Sequence, residues 1–384
     1  MQLLIDSIYL FGGIYILLKG AGWFLSSARV AATRLGISEL IIGLTIVALG
    51  TSLPELAASL AAASKFSMGM VFGNVLGSNL ANISLLLGVG AFMAPIAVSD
   101  SALRRDGLLL LLFTALIAPV LFVAGEVTVI AGLLFILLFF WYWMFLLYTA
   151  PDENRLGEEY SGPLTLLWAF LIFPLSILTR PKHIAGKIKA AFNNGGFTDL
   201  EDALEEDEGD TPPTGFRALW HGPLDAAGWP AVVIYFIIGI VMVVYGSKAA
   251  TIGGLSIAHT FGISETVIGL TLIAVGTSLP ELGVTIVAVR RGMGEMLLGN
   301  LLGSNISNIL LIIGATSLVY PQPVNMDSAL KVSAFICFGV TVLVAAMLLL
   351  ARNHSRSGTL GKRSGSILVL YYIGFLIYTA VSQL

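Results

Sequence analysis

The sequence predicts an all-α membrane protein in which ten transmembrane helices form two five-helix repeats of inverted topology. Three observations support this fold class: an apolar composition, ten long apolar stretches, and one 21-residue motif that occurs twice. Of the 384 residues, 57% are hydrophobic and only 11% are charged, and the mean hydropathy is +0.92. These values lie outside the range of ordinary soluble proteins and inside that of membrane proteins.

Ten stretches are apolar over a length that can cross the roughly 30 Å hydrocarbon layer as a helix. The first stretch has no basic region before it and no small-residue cleavage site after it, so it is predicted to be a retained span and not a signal peptide. The predicted spans are 3–26, 39–64, 70–94, 103–124, 127–149, 229–251, 265–290, 295–319, 328–351 and 365–382.

The basic residues predict the orientation of these spans. With the N-terminus outside, 16 of the 20 Lys and Arg residues fall in loops that face the cytoplasm. The positive-inside rule therefore predicts that both termini lie outside a cell membrane and that the central loop is cytoplasmic. A further apolar stretch, 163–179, would reverse this distribution if it crossed the membrane. Since it is short and interrupted by Pro174, we interpret it as a membrane-surface or re-entrant segment.

We divide the chain into a first five-helix repeat, 1–150, a cytoplasmic loop, 151–228, and a second five-helix repeat, 229–384. Five spans in each half make the halves enter the membrane from opposite sides, as in secondary transporters with a site at the membrane midplane. In the loop, the basic amphipathic segment 181–192 is expected on an anionic membrane surface. The acidic run 199–210 is interpreted as solvated and disordered, with a weak Ca²⁺ or basic-helix contact as the alternative.

Two motifs recur in order at a constant offset of 226 residues. Gly36–Leu56 reads GISELIIGLTIVALGTSLPEL and Gly262–Leu282 reads GISETVIGLTLIAVGTSLPEL, with 16 identities. A second motif follows each copy, GNVLGSNLANI from Gly73 and GNLLGSNISNI from Gly299. The two motif regions are 36–92 and 262–318. A soluble core does not require such a duplication, whereas a two-fold-related ion site in a membrane does.

Glu55 and Glu281 each place a carboxylate near the middle of a predicted span. A charge at that depth costs about 2.5–3.5 kcal/mol on insertion scales, so acids there typically face a cavity on an ion or proton path. Two such carboxylates that converge cannot both stay ionised without a cation or a shared proton. The alternative is a structural acid paired with Lys19 or Lys248, but both lysines are expected to reach toward the membrane interface.

The residues around both acids supply only oxygen ligands, which favour hard cations such as Ca²⁺ or Na⁺ over zinc or copper. Pro54 and Pro280 are expected to break each helix just before the acid and to release the carbonyls of Ala48 and Ala274. Any single hydroxyl or amide could instead form a bond between helices. The candidate side-chain ligands are Thr51, Ser52, Ser78, Asn82, Thr277, Ser278, Ser304 and Asn308.

Small and amide residues of the second motif complete this set. Gly73, Gly77, Gly299 and Gly303 are expected to allow close approach of helices. The spacing leaves open which way four further amides face, those of Asn74, Asn79, Asn300 and Asn305. The lone cysteine, Cys337, excludes a disulfide framework or a cysteine metal site, and the net charge of −3 gives no reason to expect nucleic acid.

The motifs GTSLPEL and GNxLGSNxxN resemble the two alpha repeats of the cation/calcium exchanger superfamily, specifically its sodium/calcium exchanger-like branch. The resemblance covers about 1–150 and 229–384 and leaves out the central loop. It implies a ten-helix inverted-repeat antiporter that exchanges Ca²⁺ against Na⁺ at clustered sites between the second, third, seventh and eighth helices. The first and sixth helices would slide across this core to switch access.

The resemblance also implies roles for single residues. Glu55 and Glu281 would be the central Ca²⁺ carboxylates, with Thr51 and Thr277 beside them. Many members carry an acid at the position of Asn308, so this chain keeps only two carboxylates, and the coupling ion, the stoichiometry and the role of protons stay open. Lining carbonyls would come from Ala48 and Ala274, mainly Na⁺-binding hydroxyls from Ser52, Ser78, Ser278 and Ser304, and flanking amides from Asn82 and Asn308.

The favoured interpretation is a secondary antiporter that moves Ca²⁺ out of the cytoplasm against Na⁺, without enzymatic activity and without a cofactor other than the transported ions. Exchange of Ca²⁺ against H⁺, or of another divalent cation, is the alternative within the same class. A cation channel and an intramembrane enzyme are alternatives from other classes. The enzyme hypothesis has little support, since the chain lacks the paired Asp motif of an aspartyl protease.

Overall fold

The computed structural model describes residues 2–35, 37–64, 68–99, 102–117, 126–149, 170–171, 229–261, 276, 278–323, 328–354 and 358–382. These residues are almost entirely helical. Six of their helices are long and apolar enough to cross a membrane, and a bent pair of helices makes a seventh. The protein is therefore an all-α, multi-span membrane protein. The predictions for 181–192 and 199–210, and for all of 163–179 except residues 170 and 171, lie outside the described residues.

The first half contains eight α-helices, three π-helical segments and two short strands among its described residues. They are α1 (Gln2–Leu35), α2 (Glu39–Ile42), π1 (Gly43–Val47), α3 (Ala48–Thr51), α4 (Leu53–Ser64), α5 (Met68–Leu80), π2 (Ala81–Leu86), α6 (Leu87–Met93), β1 (Ile96–Ala97), π3 (Ala102–Gly107), α7 (Leu108–Ala115), β2 (Glu126–Val127) and α8 (Val129–Thr149).

The described part of the second half follows the same order where the two can be compared. Its elements are α9 (Trp229–Thr260), α10 (Leu279–Arg290), α11 (Gly294–Ser307), π4 (Asn308–Ile312), α12 (Ile313–Val319), β3 (Gln322–Pro323), α13 (Ser328–His354), β4 (Thr359–Leu360) and α14 (Lys362–Ser382). The third, fifth, eighth, ninth and tenth predicted spans agree with helical segments to within three residues at each described end.

The first helix is longer than the apolar stretch that predicts it. It continues to Leu35, past the predicted end at residue 26, because residues 27–35 contain no glycine or proline that would end it. Arg29 and Arg34 consequently lie in its last turns and not in a loop, a position where the helix dipole favours positive charge. Arg29 Nε pairs with Glu39 Oε1 at 2.7 Å, which links the end of α1 to the start of α2.

Helix α1 packs along α9, and glycines let the two backbones touch. Gly239, Gly246 and Gly253 recur every seven residues on α9. A Cβ built on Gly246 would stand 2.5 Å from the amide nitrogen of Leu17 and 2.9 Å from the carbonyl oxygen of Gly13. No larger side chain fits at this position without separating the helices. The two helices therefore form one closely packed unit.

The two halves are joined by reciprocal contacts. Helix α6 of the first half packs on α14 of the second, and α12 of the second half packs on α8 of the first. Each strand pair likewise joins one strand from each half, since β1 pairs with β4 and β2 pairs with β3, both antiparallel. These contacts place the motif helices at the centre, where every residue of α11 from Met296 to Ser307 is buried.

A candidate cation site between the two motifs

The first motif bends immediately before its glutamate. Ser52 separates α3 from α4, and the segments Glu39–Thr51 and Leu53–Ser64 meet at 45°. Pro54 and Pro280 are the second residues of α4 and α10, where a missing backbone N–H costs nothing. The predicted break is confirmed for Pro54. Glu55 and Glu281 then lie in the first turns of their helices, where the helix dipole favours negative charge.

The carbonyl of Ala48 is not released by this break, so that part of the prediction is wrong. Its oxygen accepts the backbone N–H of Ser52 at 3.0 Å, as in an uninterrupted helix. In a helix each backbone N–H donates to the carbonyl four residues earlier. Pro54 has no N–H, so the carbonyl that loses its donor is that of Gly50 and not that of Ala48. Ala48 as a cation ligand stays a prediction. Ala274 and Thr277 lie outside the described residues.

Both glutamate side chains are buried, each with 1% of its surface exposed. None of their four carboxylate oxygens has a hydrogen-bond partner within the described structure. The two carboxylates are near enough for their charges to repel each other. Thr51, one turn before Glu55, contacts Asn300 and Ser304 of α11, and α10, which carries Glu281, also packs on α11. Among the described residues neither Lys19 nor Lys248 bonds to these carboxylates, and Lys19 Nζ lies over the ring of Trp23, 5.5 Å from its centroid. Two buried acids without partners require positive charge to offset the cost of their burial.

Four asparagines bridge the two motifs in a reciprocal network. Asn79 and Asn305 occupy equivalent positions, and each Nδ2 donates to the backbone carbonyl of the other at 3.1 Å. Asn82 Nδ2 donates to Asn305 Oδ1 at 3.0 Å, and Asn308 Nδ2 donates to Asn79 Oδ1 at 2.9 Å. These bonds fix the amide orientations. They leave the buried Oδ1 atoms of Asn82 and Asn308 without partners, so both oxygens are available to a hard cation.

Both of these outer asparagines, Asn82 and Asn308, lie in π-helical turns that the sequence did not predict. Asn82 is in π2 and Asn308 begins π4, at equivalent positions of the two halves. Single π-turns inside α-helices occur frequently at functional sites, because the extra residue per turn redirects side chains. No glycine or proline marks either turn. The only available signal was the recurrence of both asparagine pairs at one offset.

The hydroxyls divide into bonded and unbonded groups. Ser52, Ser78 and Ser278 are buried, and their Oγ atoms have no hydrogen-bond partner in the part of the chain that is described. Thr51 Oγ1 lies 3.1 Å from Asn300 Oδ1 and 3.2 Å from Ser304 Oγ, so it connects the first motif to the second. The Thr51 hydroxyl also lies near the Glu281 carboxylate, although its hydrogen-bonding distances are to Asn300, Ser304 and the carbonyl of Ala48.

Two glycines let the first motif lie directly on α11. A Cβ at Gly299 would collide with the carbonyl oxygen of Leu40, and one at Gly303 would collide with the carbonyl oxygen of Leu44. The predicted close approach is therefore confirmed for this pair. For Gly73 and Gly77 it stays a prediction, because the segment 265–275, which corresponds to 39–49, lies outside the described residues.

Replacing Gly303 with valine should push the first motif away from α11. The collision is with backbone, which cannot rotate aside, and the displaced segment carries Thr51. We expect a destabilisation of about 1–3 kcal/mol from overpacking, together with a loss of cation binding. Thermal unfolding in detergent and Ca²⁺ binding would measure the two effects. Gly361→Val, at an open position outside the site, is the matched control, and equal behaviour of the two variants would contradict the assignment.

The chain is similar to known membrane antiporters over most of its length. The family model described as sodium/calcium exchanger protein matches residues 6–148 and 231–381, and it leaves out the central loop. The sodium/calcium exchanger MaX1 of Methanosarcina acetivorans is 35% identical over 95% of this chain and 95% of its own length. The putative antiporter CaxA of Alkalimonas amylolytica is 30% identical over 97% of this chain and 98% of its own.

Solved structures share the fold. A structure of the sodium–calcium exchanger NCX_Mj, soaked with zero Na⁺ and Ca²⁺, superposes with a TM-score of 0.67 at 24% identity and covers 98% of this chain and 99% of that one. A second structure of the same exchanger, soaked with Na⁺ and Sr²⁺, gives 0.65 at 25% identity over 100% and 99% of the two chains. The chain thus belongs to the sodium/calcium exchanger protein family, whose members are membrane antiporters and not enzymes.

Proposed function

We propose that this protein is a secondary antiporter that moves Ca²⁺ out of the cytoplasm against inward Na⁺, by alternating access to a site between Glu55 and Glu281. The observation that carries this proposal is the pair of buried, mutually repelling carboxylates without protein partners. Together they neutralise one divalent cation. The surrounding unbonded hydroxyl and amide oxygens match the ligands that Ca²⁺ and Na⁺ take.

The relatives support this choice of ions. MaX1 is named a sodium/calcium exchanger, and the NCX_Mj structures were soaked with Na⁺, Ca²⁺ or Sr²⁺. We assign Ca²⁺ to Glu55, Glu281, Thr51 and Thr277. The remaining proposed ligands are the Na⁺-binding hydroxyls Ser52, Ser78, Ser278 and Ser304, the amides Asn82 and Asn308, and the carbonyls of Ala48 and Ala274.

We further propose ten spans in two inverted repeats, with both termini outside and the central loop in the cytoplasm. The duplicated motifs, the reciprocal strand pairs and the exchanged asparagine bonds all support a two-fold relation between the halves. The distribution of basic residues supports the orientation. The transported ions are the only non-protein components of this proposed cycle.

In this cycle the unit of α1 and α9 slides across the core. It contacts α10, where Gly283 faces Leu17. Arg291, just after the end of α10, donates through Nη1 to the carbonyl oxygen of Gly22 at 2.8 Å and to the hydroxyl of Ser26. Sliding of α1 past α10 would have to break these bonds. They therefore belong to one access state.

Proteoliposomes test the proposal directly. With a Na⁺ gradient imposed, we expect ⁴⁵Ca²⁺ to accumulate against its own gradient, and with K⁺ or H⁺ gradients we expect no accumulation. If three Na⁺ exchange for one Ca²⁺, one net charge crosses per cycle, and the membrane potential contributes about 2.3 kcal/mol per 100 mV. Voltage-clamped vesicles should then carry a current that reverses with the potential.

Results other than Na⁺-driven accumulation would each indicate one of the alternative functions. Accumulation driven only by a pH gradient would indicate Ca²⁺/H⁺ exchange, and accumulation of another divalent ion in preference to Ca²⁺ would indicate a different substrate. Flux that never exceeds equilibrium would indicate a channel. Vesicles without protein and vesicles with the Glu55→Gln variant serve as controls.

A further inference from the structure

Two equivalent asparagines of the second motif are hydrogen-bonded in different ways. Asn74 Nδ2 donates to Ser59 Oγ at 2.9 Å and to the backbone carbonyl of Glu55 at 3.3 Å. Both acceptors belong to α4. Asn74 therefore ties α5 to α4 directly beside the first carboxylate.

Asn300, the counterpart of Asn74, makes its bond across the halves. Its Oδ1 accepts the hydroxyl hydrogen of Thr51 at 3.1 Å, so it holds the end of α3. Its Nδ2 is buried and has no partner among the described residues. Thr285, the counterpart of Ser59, is also fully buried and has an unpartnered Oγ1. The second half thus carries both groups of the Asn74–Ser59 bond but does not form that bond.

Asn300 Nδ2 and Thr285 Oγ1 are thus a buried donor and a buried acceptor without partners, at the positions where Asn74 and Ser59 bond to each other. Such groups are unusual, because each costs free energy unless it forms a hydrogen bond. They are accounted for if another state of the protein uses them. In inverted-repeat transporters, the state open to the other side arises when the two halves exchange conformations. The exchange would give Asn300 the partners that Asn74 has here.

We propose that Asn74 and Asn300 are an alternating pair of positioning residues, each bonded within its own half in one access state and across the halves in the other. This inference rests on the proposed function. In the opposite state Asn300 donates to Thr285 Oγ1 and to the backbone carbonyl of Glu281, while Asn74 leaves Ser59. The exchange releases Thr51 from Asn300. Access to the site is thereby coupled to the freedom of a proposed Ca²⁺ ligand.

Two substitutions that each remove one hydroxyl test the pair, because they act on opposite states. Ser59→Ala removes an acceptor that is used in the present state, whereas Thr285→Val removes one that is used only in the other. The apparent affinity at each face scales with the fraction of protein open to that face. We expect the ratio of half-saturating Ca²⁺ concentrations at the two faces to shift in opposite directions, by about three- to tenfold.

The controls separate this effect from general damage. The double variant should return the ratio to within about twofold of the unmodified protein, since the two shifts cancel. Thr316→Val should leave the ratio unchanged, because within the described residues its hydroxyl donates to the nearby carbonyls of Ile312 and Ile313 and not across the halves. Parallel shifts, or no shift, of the two single variants would overturn the alternating pair and leave the exchanger function intact. Absence of Na⁺-driven uptake by the unmodified protein would overturn both.

Discussion

Replacing Glu55 or Glu281 with glutamine is expected to abolish Ca²⁺ transport while it makes the ion-free protein more stable. Glutamine keeps the shape of the side chain and removes the charge, so one carboxylate is left to neutralise a divalent cation. Removing one partner of a buried pair of opposite charges costs about 3–5 kcal/mol, and here that pair is a carboxylate and the bound Ca²⁺. This cost corresponds to a loss of Ca²⁺ affinity of at least about a hundredfold. Uptake of ⁴⁵Ca²⁺ and a Ca²⁺ titration would measure both quantities.

The effect on stability has the opposite sign in the absence of ions. Both carboxylates are buried without partners and repel each other, so without a cation they cannot both stay ionised, and each substitution removes that repulsion and the cost of burying a carboxylate. We therefore expect a higher unfolding temperature for both variants in ion-free detergent. Added Ca²⁺ should stabilise the unmodified protein by binding only its folded state, and it should have little effect on the variants.

Glu39→Gln is the matched control for these substitutions. Glu39 is partly exposed and pairs with Arg29 at the surface, a pair worth about 0–1 kcal/mol. We expect its transport and its response to Ca²⁺ to stay close to those of the unmodified protein. Retained Na⁺-driven uptake in Glu55→Gln would contradict the site, whatever the behaviour of the control.

The sequence could predict the chemistry of the site because the duplication repeats it in one order. Glu55 and Glu281 recur at one offset with the same proline before them, and both are buried in the structure. Most helix positions followed from the apolar stretches, which have lengths set by the bilayer. The extension of α1 to Leu35 did not follow, because Arg29 and Arg34 end the apolar stretch although the residues between them still form a helix.

The hydrogen-bond partners within the site could not be predicted from the sequence. Asn79 and Asn305 are separated by 226 residues, and spacing alone does not indicate whether an amide faces an ion or another amide. The error over the Ala48 carbonyl has a related origin, since the break occurs at Ser52 and leaves the preceding helical bond in place. Such details depend on how two distant segments meet.

The bridge between the motifs leads to a second large effect. Replacing Asn79 with alanine removes its bond to the carbonyl of Asn305 and the acceptor for Asn308 Nδ2. A buried bond is lost and a buried donor is left unpaired, so we expect a destabilisation of about 2–4 kcal/mol. Asn308 also loses the partner that orients its Oδ1, and Ca²⁺ affinity should fall with stability.

Because the asparagine network is reciprocal, the same loss of stability is expected from the equivalent substitution in the second motif. Asn305→Ala also removes two bonds, its own donation to the Asn79 carbonyl and the acceptor for Asn82 Nδ2. The two variants should therefore lower the unfolding temperature in detergent by similar amounts. Asn82→Ala removes one bond and one oxygen of the site, so it should lose less stability than Asn79→Ala and at least as much Ca²⁺ affinity. If Asn79→Ala unfolds at the same temperature as the unmodified protein and binds Ca²⁺ equally well, the asparagines do not hold the halves together, and the outer amides are not oriented by them.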